Sequence, residues 1–563
     1  MKVGKLVAAG ISILLVVGVC IGVIVGVAHK NNSGDGKGIS STSKSVAAIC
    51  DPTDYKEACI NSLSVAAKNG TTDPKELIVA AFGSALKEVQ ASLSKSGTIG
   101  EGAKAPQQKM AFDDCKELLQ YAIDELQASY SMVGDSSLHT MNDRVSELQN
   151  WLSAVISYQQ TCVDGVTQQD LKNQIQTGLL NATQLTSNAL AIVSAISGIL
   201  TTFNIPAANN SASSRKLLEE TEEDRDGYPS WFSVADRRLM AAQAKGQVTP
   251  NAIVAKDGSG KYNTIAAALA SVPKKNKGRY VIYVKAGVYN EYLTVTKDQT
   301  NVFMYGDGPR KSVITGKKSF TDGITTYKTA SFSTMGYGFI AKAMGFQNTA
   351  GPQGHQAVAV RVQADMAAFF NCRMDGYQDT LYVQTHRQFY RNCVISGTID
   401  FIFGDASAVI QNSLIIVRKP MDKQQNTVTA QGRIDKHETT GLVIHNCRIV
   451  PDQQLYPVRL QVQTYLGRPW KGYSRTVIME STLGDLIQPA GWMPWSGNFA
   501  LDTLYYAEYA NRGPGANTAN RVKWKGFKVI NRNEALQFTA GPFLQGNQWL
   551  KATGVPYLLS LRA

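Results

Sequence analysis

Apolar residues recur at three- and four-residue steps through the front of this chain and give way to short apolar runs after residue 250. Phe112, Cys115, Leu119, Ile123 and Leu126 form one such series; Leu138, Met141, Val145, Leu148, Leu152 and Val155 form another. That spacing places one apolar stripe along a helix. Long amphipathic helices with short polar gaps predict an antiparallel helical bundle over residues 49–205. Beyond residue 250, runs such as Tyr280–Val284 and Val313–Ile314 are separated by Gly, Asn and Asp and predict short strands. Asparagine marks a repeat among them: Phe346-Gln347-Asn348-Thr349, Phe370-Asn371-Cys372, Tyr390-Arg391-Asn392-Cys393, Ile410-Gln411-Asn412-Ser413 and Ile444-His445-Asn446-Cys447. The Asn residues are 23, 21, 20 and 34 positions apart. A period near twenty with no helix-length gap predicts a parallel β-helix, an all-β unit in which Asn side chains stack at a coil corner and bond up and down the stack. An antiparallel sandwich would not require this register.

The ends and joints have their own character. Leu6 to Ala28 is apolar and uncharged, and Lys2 and Lys5 precede it. It is long enough to span a bilayer, so residues 1–30 read as a cytosolic stub with a signal anchor, or else as a long signal peptide. Membrane contact of the precursor would run through residues 6–28. Either route delivers the rest to the secretory path, and the sequons at Asn31, Asn69, Asn181 and Asn209 fit glycosylation there. Residues 31–48 read as a Gly/Ser/Lys-rich linker. Residues 206–243 are polar and carry Arg215-Lys216-Leu217-Leu218 and Arg237-Arg238, exposed basic sites open to a processing protease. Residues 244–563 form the β-rich unit.

Charge sharpens this division. The chain of 563 residues is 44% hydrophobic and 18% charged, globular in composition and too long for one core. Up to residue 240 there are 20 basic and 25 acidic residues, and after it 37 and 19. A basic unit of that size attracts polyanions: nucleic acid, acidic polysaccharide or a membrane surface. The acidic front half could shield it. The cysteines form no C-x-x-C pair and there are six histidines, which argues against a zinc site. Cys50, Cys59, Cys115 and Cys162 form an even set in the helical part. Pairing Cys50 with Cys59 and Cys115 with Cys162 would staple a hairpin and then two helices, although sequence alone allows other pairings.

The repeat also orders polar side chains. Gln356 and Gln378 are 22 residues apart, and Asp379 and Asp400 are 21 apart. On stacked coils such residues lie about 4.8 Å apart. Two carboxylates at that range do not ionise alike, which yields one acid and one anion in a single site. Asp400 sits in the apolar run Gly397-Thr398-Ile399-Asp400-Phe401-Ile402-Phe403-Gly404 and needs a partner, for which Arg468 is the candidate. A buried ion-pair network is the alternative use of the same three residues.

These segments resemble a known family. Gly354-His355-Gln356-Ala357-Val358, Gly376-Tyr377-Gln378-Asp379-Thr380-Leu381-Tyr382, the Gly397–Gly404 run, Thr429-Ala430-Gln431-Gly432-Arg433 and Tyr465-Leu466-Gly467-Arg468-Pro469-Trp470 look like the signature blocks of plant pectin methylesterases, in order. The front region with its four cysteines is similar to the pectin methylesterase inhibitors, which are four-helix bundles. Arg215–Leu218 resembles the processing motif between the two parts. The resemblance implies a right-handed parallel β-helix that hydrolyses the methyl esters of pectin without metal or organic cofactor, for cell wall modification. Asp400 would be the nucleophile and Asp379 the proton donor and base; Gln378 and Gln356 would stabilise the oxyanion. Arg468 would hold Asp400, and Trp470 and Thr326 would contact the sugar chain. The implied partners are methylesterified pectin, the protein's own inhibitor-like pro-region, a processing protease and separate inhibitor proteins, not nucleic acid. The implied destination is the cell wall. Two positions depart from the family. Ser413 stands where a cysteine able to bridge to the equivalent of Cys393 is frequent, leaving Cys393 without that bridge. Asp405 stands where Asn is common and would put an extra carboxylate near Asp400. Rival readings are a polygalacturonase or lyase on the same fold, separated by their products, and a non-catalytic pectin-binding or inhibitor protein.

Overall fold

The computed structural model describes residues 41–67, 70–205 and 249–562. Two short helices, Ser41–Cys50 and Lys56–Ala66, lead into four long ones: Pro74–Glu101, Pro106–Asp135, Val145–Gly165 and Gln169–Ser194. Each long helix packs on its neighbours in the chain, and the first packs on the fourth, which closes a four-helix bundle. Asp73 starts the first long helix by accepting from Lys75 N, with Pro74 at the first helical position. Of the periodic residues, Phe112, Cys115, Leu119 and Leu126 are buried and Ile123 is half-buried. The second series crosses a break. Leu138 and Met141 lie in a 3₁₀ turn, Leu138–Arg144, and the helix begins at Val145. A three-residue step belongs to either helix type, so the pattern alone could not place that boundary. Cys50 is bonded to Cys59 and Cys115 to Cys162. The second bridge joins the second and third long helices across 47 residues, which the chain-entropy model values at about 4 kcal/mol.

From residue 252 the strands rotate through three parallel sheets of eleven, eight and seven strands. Ala367–Phe370, Arg373–Asp375 and Leu381–Val383 make one coil; Arg387–Arg391, Val394–Gly397 and Ile402–Gly404 make the next. In the seven-stranded sheet Val360 pairs with Leu381, Leu381 with Ile402 and Ile402 with Thr429. Val360, Leu381 and Ile402 are fully buried. Inside, Phe332, Phe346, Phe369 and Tyr390 form a ring column with centroids 5.0, 6.1 and 5.0 Å apart. The short helix Ile265–Ala270 packs onto the first coils, and the segment from Ile530 to Leu561 covers the outer face of the eleven-stranded sheet.

The Asn corner is real, with one correction. Asn371, Asn392, Asn412 and Asn446 all adopt φ of 51–52°, the left-handed region Asn tolerates. Asn412 Nδ2 donates to Asn392 Oδ1 at 2.6 Å, and Asn446 Nδ2 to Asn412 Oδ1 at 3.2 Å. Asn348 is not in this stack. It closes the strand Gly345–Asn348, one edge later, and its amide binds Val358 O and Lys318 O. The corner on its coil is Ala343. A shared Phe-x-Asn signature recurs at two edges of the coil, and only the strand register separates them.

Candidate active site

Asp379 and Asp400 occupy equivalent places on adjacent coils. Each lies two residues before a strand of the seven-stranded sheet, and those strands start on the paired residues Leu381 and Ile402. Both aspartates have left-handed backbones, φ 63° and 50°, the kind of conformation that persists only when its surroundings over-determine it. They are 7% and 5% exposed. Arg468 leaves the strand Thr464–Gly467 and forks onto Asp400: Nε to Oδ1 at 2.8 Å and an Nη to Oδ2 at 2.6 Å. This two-point geometry holds a carboxylate both ionised and oriented. Thr427, on the strand Asn426–Gln431, adds a hydroxyl donated to Asp400 Oδ1 at 2.6 Å.

Among the described residues Asp379 has no such donor. Burial pushes its carboxyl well above the usual carboxylate range, the charge of Asp400 adds to this, and Arg468 opposes it only in part. One aspartate is thus tied to a cation and the other is biased toward its neutral, proton-donating form. Gln356 and Gln378 are half-buried on the wall of the same cavity. Among the described residues neither side-chain amide is engaged in a hydrogen bond, so both remain available as donors to a developing oxyanion. Gln378→Ala is expected to lower kcat about 10²–10³-fold with a smaller change in KM, measured by steady-state kinetics.

The cleft floor is the outer face of the seven-stranded sheet. Tyr382 and Phe403 stack at 4.3 Å, and Trp470 meets Phe403 edge-on at 5.9 Å. Gly432 permits this, since a Cβ there would lie 2.9 Å from the Trp470 ring. Gly404 is constrained too: its φ is +126° and a Cβ would meet Val383 O at 2.0 Å. Trp495 faces the Arg468 guanidinium at 4.4 Å and lines the cavity with Trp470 and Thr326. Thr326 opens a 3₁₀ turn, while its neighbour Thr325 donates to Asp114 of the helical domain. Sequence reading missed Thr427, Tyr382, Phe403 and Trp495 as site residues. The first three stand in or beside quoted blocks, and their alternation along paired strands was the available signal. Trp495 lies in a long irregular segment with no such signal.

The helical domain sits on this floor. Thr161, Asp164, Gly165, Thr167 and Lys172 line the cavity of about 410 Å³ that also contains the two aspartates. Thr161 Oγ1 lies 3.3 Å from Tyr382 OH. The seam is held by ion pairs of one polarity, acids from the helices and bases from the β-helix. Lys471 meets Asp164 at 2.6 Å, Lys328 meets Glu117 at 2.6 Å and Arg387 meets Glu147 at 2.9 Å. Lys297 meets Asp124 and Glu125, and Lys436 meets Asp54. The opposite charge balance of the two halves is therefore used in direct contact.

Other singled-out residues lie elsewhere. Asp405 is at the far end of its strand from Asp400, where its carboxylate accepts from Gln431 at 3.0 Å and Thr440 at 2.6 Å. The strand Ile402–Gly404 separates it from Asp400, so the expected extra carboxylate does not stand beside the pair. Cys372, Cys393 and Cys447 are buried thiols, and burial pushes Cys447 up to about 12. Ser413 Oγ accepts from Cys393 N at 3.0 Å. Asn181 is exposed on the fourth long helix. Asn31, Asn69, Asn209, the segment 6–28 and Arg215–Leu218 lie outside the described residues. Asp54, Asp435 and His437 group closely enough to hold a cation, but they lie at the seam, share no residue with the site, and their acids already bind Lys436 and Ser187.

Comparison with known proteins agrees with this geometry. Residues 251–547 match the pectinesterase family model, and residues 44–192 match that of the plant invertase/pectin methylesterase inhibitors. "Probable pectinesterase/pectinesterase inhibitor 21" of Arabidopsis thaliana is 46% identical over 98% of this chain and 82% of its own length. "Pectinesterase 1" of Citrus sinensis is 42% identical over 96% of this chain and 92% of its own. Among solved structures, the pectin methylesterase from carrot is 53% identical, covers 56% of this chain and 99% of its own, and superposes with a TM-score of 0.55. A family model over more than half of the chain and relatives alike along nearly all of it place this protein in the pectinesterase family, carboxylic ester hydrolases with an inhibitor-type helical domain ahead of the enzyme fold.

Proposed function

We propose that this protein removes methyl esters from the galacturonate residues of pectin by aspartate nucleophilic catalysis. Asp400 attacks the ester carbonyl, and the oxyanion receives the amide N–H groups of Gln378 and Gln356. Collapse expels methoxide, which takes the proton of Asp379 and leaves as methanol. The acyl group is then an anhydride on Asp400. Water, giving a proton to Asp379, attacks that anhydride and returns free galacturonate and Asp400. Trp470 and Thr326 contact the sugar chain, and the basic surface suits a product that gains negative charge. The observation that carries this reading is the Arg468 fork on one aspartate beside a second, unpaired aspartate of raised pKa. The test uses the full chain with an engineered protease site in the 206–243 linker, before and after cutting, on highly methylated pectin. Methanol and acid should appear without new reducing ends; new chain ends would favour a polygalacturonase or lyase.

In the same reading residues 49–205 are an inhibitor-like pro-region acting in cis, 206–243 the segment cut at Arg215–Leu218 by a processing protease, and 244–563 the enzyme. Residues 1–30 direct the precursor to the secretory path and cell wall, the linker expected over residues 31–48 is cut short by the helix Ser41–Cys50, whose Val46 and Ile49 are buried in the bundle, and the four sequons are glycosylation sites. Separate inhibitor proteins would compete for the face that the pro-region covers. What supports autoinhibition is that Tyr382 and Phe403, the cleft floor, pack into one buried cluster with the helices, which leaves a polymer no path. Asp164→Lys breaks the Lys471 pair and opposes two like charges, so the uncut chain should gain about tenfold or more in methanol release.

Docking should also depend on pH. Burial pushes Asp114 up to about 6, against the pull of Thr325 and Lys328. Its contribution is therefore full at low pH and is lost as pH rises through that value. Glu117 goes the other way. Burial is the largest single cause and raises it, but Lys328, Arg361 and the Tyr121 hydroxyl together outweigh burial and hold it below its ordinary 4.5, so its contribution is lost as pH falls. Asp114 gives up its contribution progressively between its ordinary 3.8 and about 6, so docking should be tightest near 4.5 and weaken as pH rises through about 6. Basal activity of the uncut chain, corrected by that of the cut enzyme at each pH, should rise over the same interval. Asp114→Asn should flatten that rise.

A further inference from the structure

The nucleophile is held by a second residue besides Arg468. Thr427 is 1% exposed on the strand Asn426–Gln431, one coil beyond Asp400. Its Oγ1 accepts from Asp400 N at 2.9 Å and donates to Asp400 Oδ1 at 2.6 Å. One hydroxyl therefore fixes the backbone and the side chain of the same residue, whose φ of 50° is one that few side chains adopt unaided. The two carboxylate oxygens become unequal. Among the described residues, Oδ1 accepts from Thr427 and from Arg468 Nε at 2.8 Å, while Oδ2 accepts only from an Arg468 Nη at 2.6 Å. A carboxylate oxygen offers about two lone-pair sites, so Oδ1 is saturated and Oδ2 keeps a free one.

We propose that Thr427 is a positioning residue that locks Asp400 by Oδ1 and so selects Oδ2 as the attacking atom. This inference rests on Asp400 being the nucleophile. In the first step the Oδ2 lone pair forms the bond to the carbonyl carbon, and methoxide leaves with the proton of Asp379. Thr427 keeps its own proton throughout and gives up none to the reaction. The hydroxyl stabilises the ionised, correctly turned carboxylate, and its effect is on reaction more than on sugar binding.

The test is made on the full chain after cutting at the engineered linker site. Thr427→Val keeps the shape and removes the hydroxyl. It is expected to lower kcat about 10–100-fold at nearly constant KM, because the carboxylate is no longer held at its attacking angle. Thr427→Ser should restore kcat, and Thr427→Cys, a weaker donor, should fall between and serves if the valine variant does not fold. A crystal of the Asp379→Asn variant with a short oligogalacturonide esterified with a better leaving group than methanol, which needs no acid to depart, should carry the acyl group on Oδ2 with the Thr427 bond intact. Wild-type kcat in a folded Thr427→Val or Thr427→Cys protein, or an acyl group on Oδ1, would overturn the inference. If instead Asp400→Ala remained active, the nucleophile assignment itself would fail, which is a different result.

Discussion

Asp400→Ala in the cut protein is expected to lower kcat for methanol release by about 10⁴-fold or more, the size of effect seen when a nucleophile is lost from a site that works as a unit. Every donor gathered at this point is aimed at one carboxylate: the Arg468 fork and the Thr427 hydroxyl. Removing the carboxylate leaves a half-buried guanidinium with its main partner gone, so some loss of stability should accompany the loss of rate. Asp400→Asn separates the two effects, because it keeps the volume and part of the hydrogen bonding. Both variants should be inactive, while the asparagine variant should melt closer to wild type. Residual activity above about one per cent of wild type in either would remove Asp400 from the role of nucleophile.

Asp379→Asn should be the second largest loss, about 10²–10⁴-fold in kcat, with a signature that Asp400 variants lack. Burial and the charge of Asp400 hold the Asp379 carboxyl well above the usual carboxylate range, so the wild-type site keeps its acid protonated to higher pH than a free aspartate would. Activity should fall as pH rises through that value, giving an alkaline limb. The variant should lose that limb, and esters with better leaving groups than methanol should recover much of the rate, because a good leaving group needs no acid. Burial is the largest cause of the shift, and residues of the docked helices help to close the cavity around Asp379. Cutting and release admit water to the site, so the limb in the free enzyme is expected to lie below the elevation seen in the docked chain. An unchanged alkaline limb in Asp379→Asn would assign the titration to another group.

Much of this was legible in the chain. The three- and four-residue apolar steps held in the helices because one stripe must face a bundle core, and the twenty-residue period held because each coil must stack on the last. Asp379 and Asp400 could be paired from their 21-residue spacing since both keep the same place relative to their strands. Where the period was read from a local signature instead of from register, as at Asn348, it erred by one edge of the coil. Asp405 erred for a related reason. Five residues along the chain crosses a whole strand, so closeness in sequence became separation in space.

What the sequence determined by itself was whatever depends on period and residue type: two units of unlike texture, opposite charge, an even set of cysteines in the helices, and carboxylates and amides repeated at one coil's spacing. What only the tertiary structure decided depends on groups far apart in the chain meeting at fixed distances. Thr427 reaches Asp400 because a 26-residue excursion between them closes into a coil. Trp495 reaches Arg468 out of an irregular segment whose path no periodicity encodes. The acids of the helices reach the bases of the β-helix because two finished surfaces dock. Local pattern carries secondary structure and stacking, since those are short-range or periodic; hydrogen-bond and ion-pair geometry at the site is a property of the assembled fold, and there the physical reach of each side chain, not its place in the chain, decides its role.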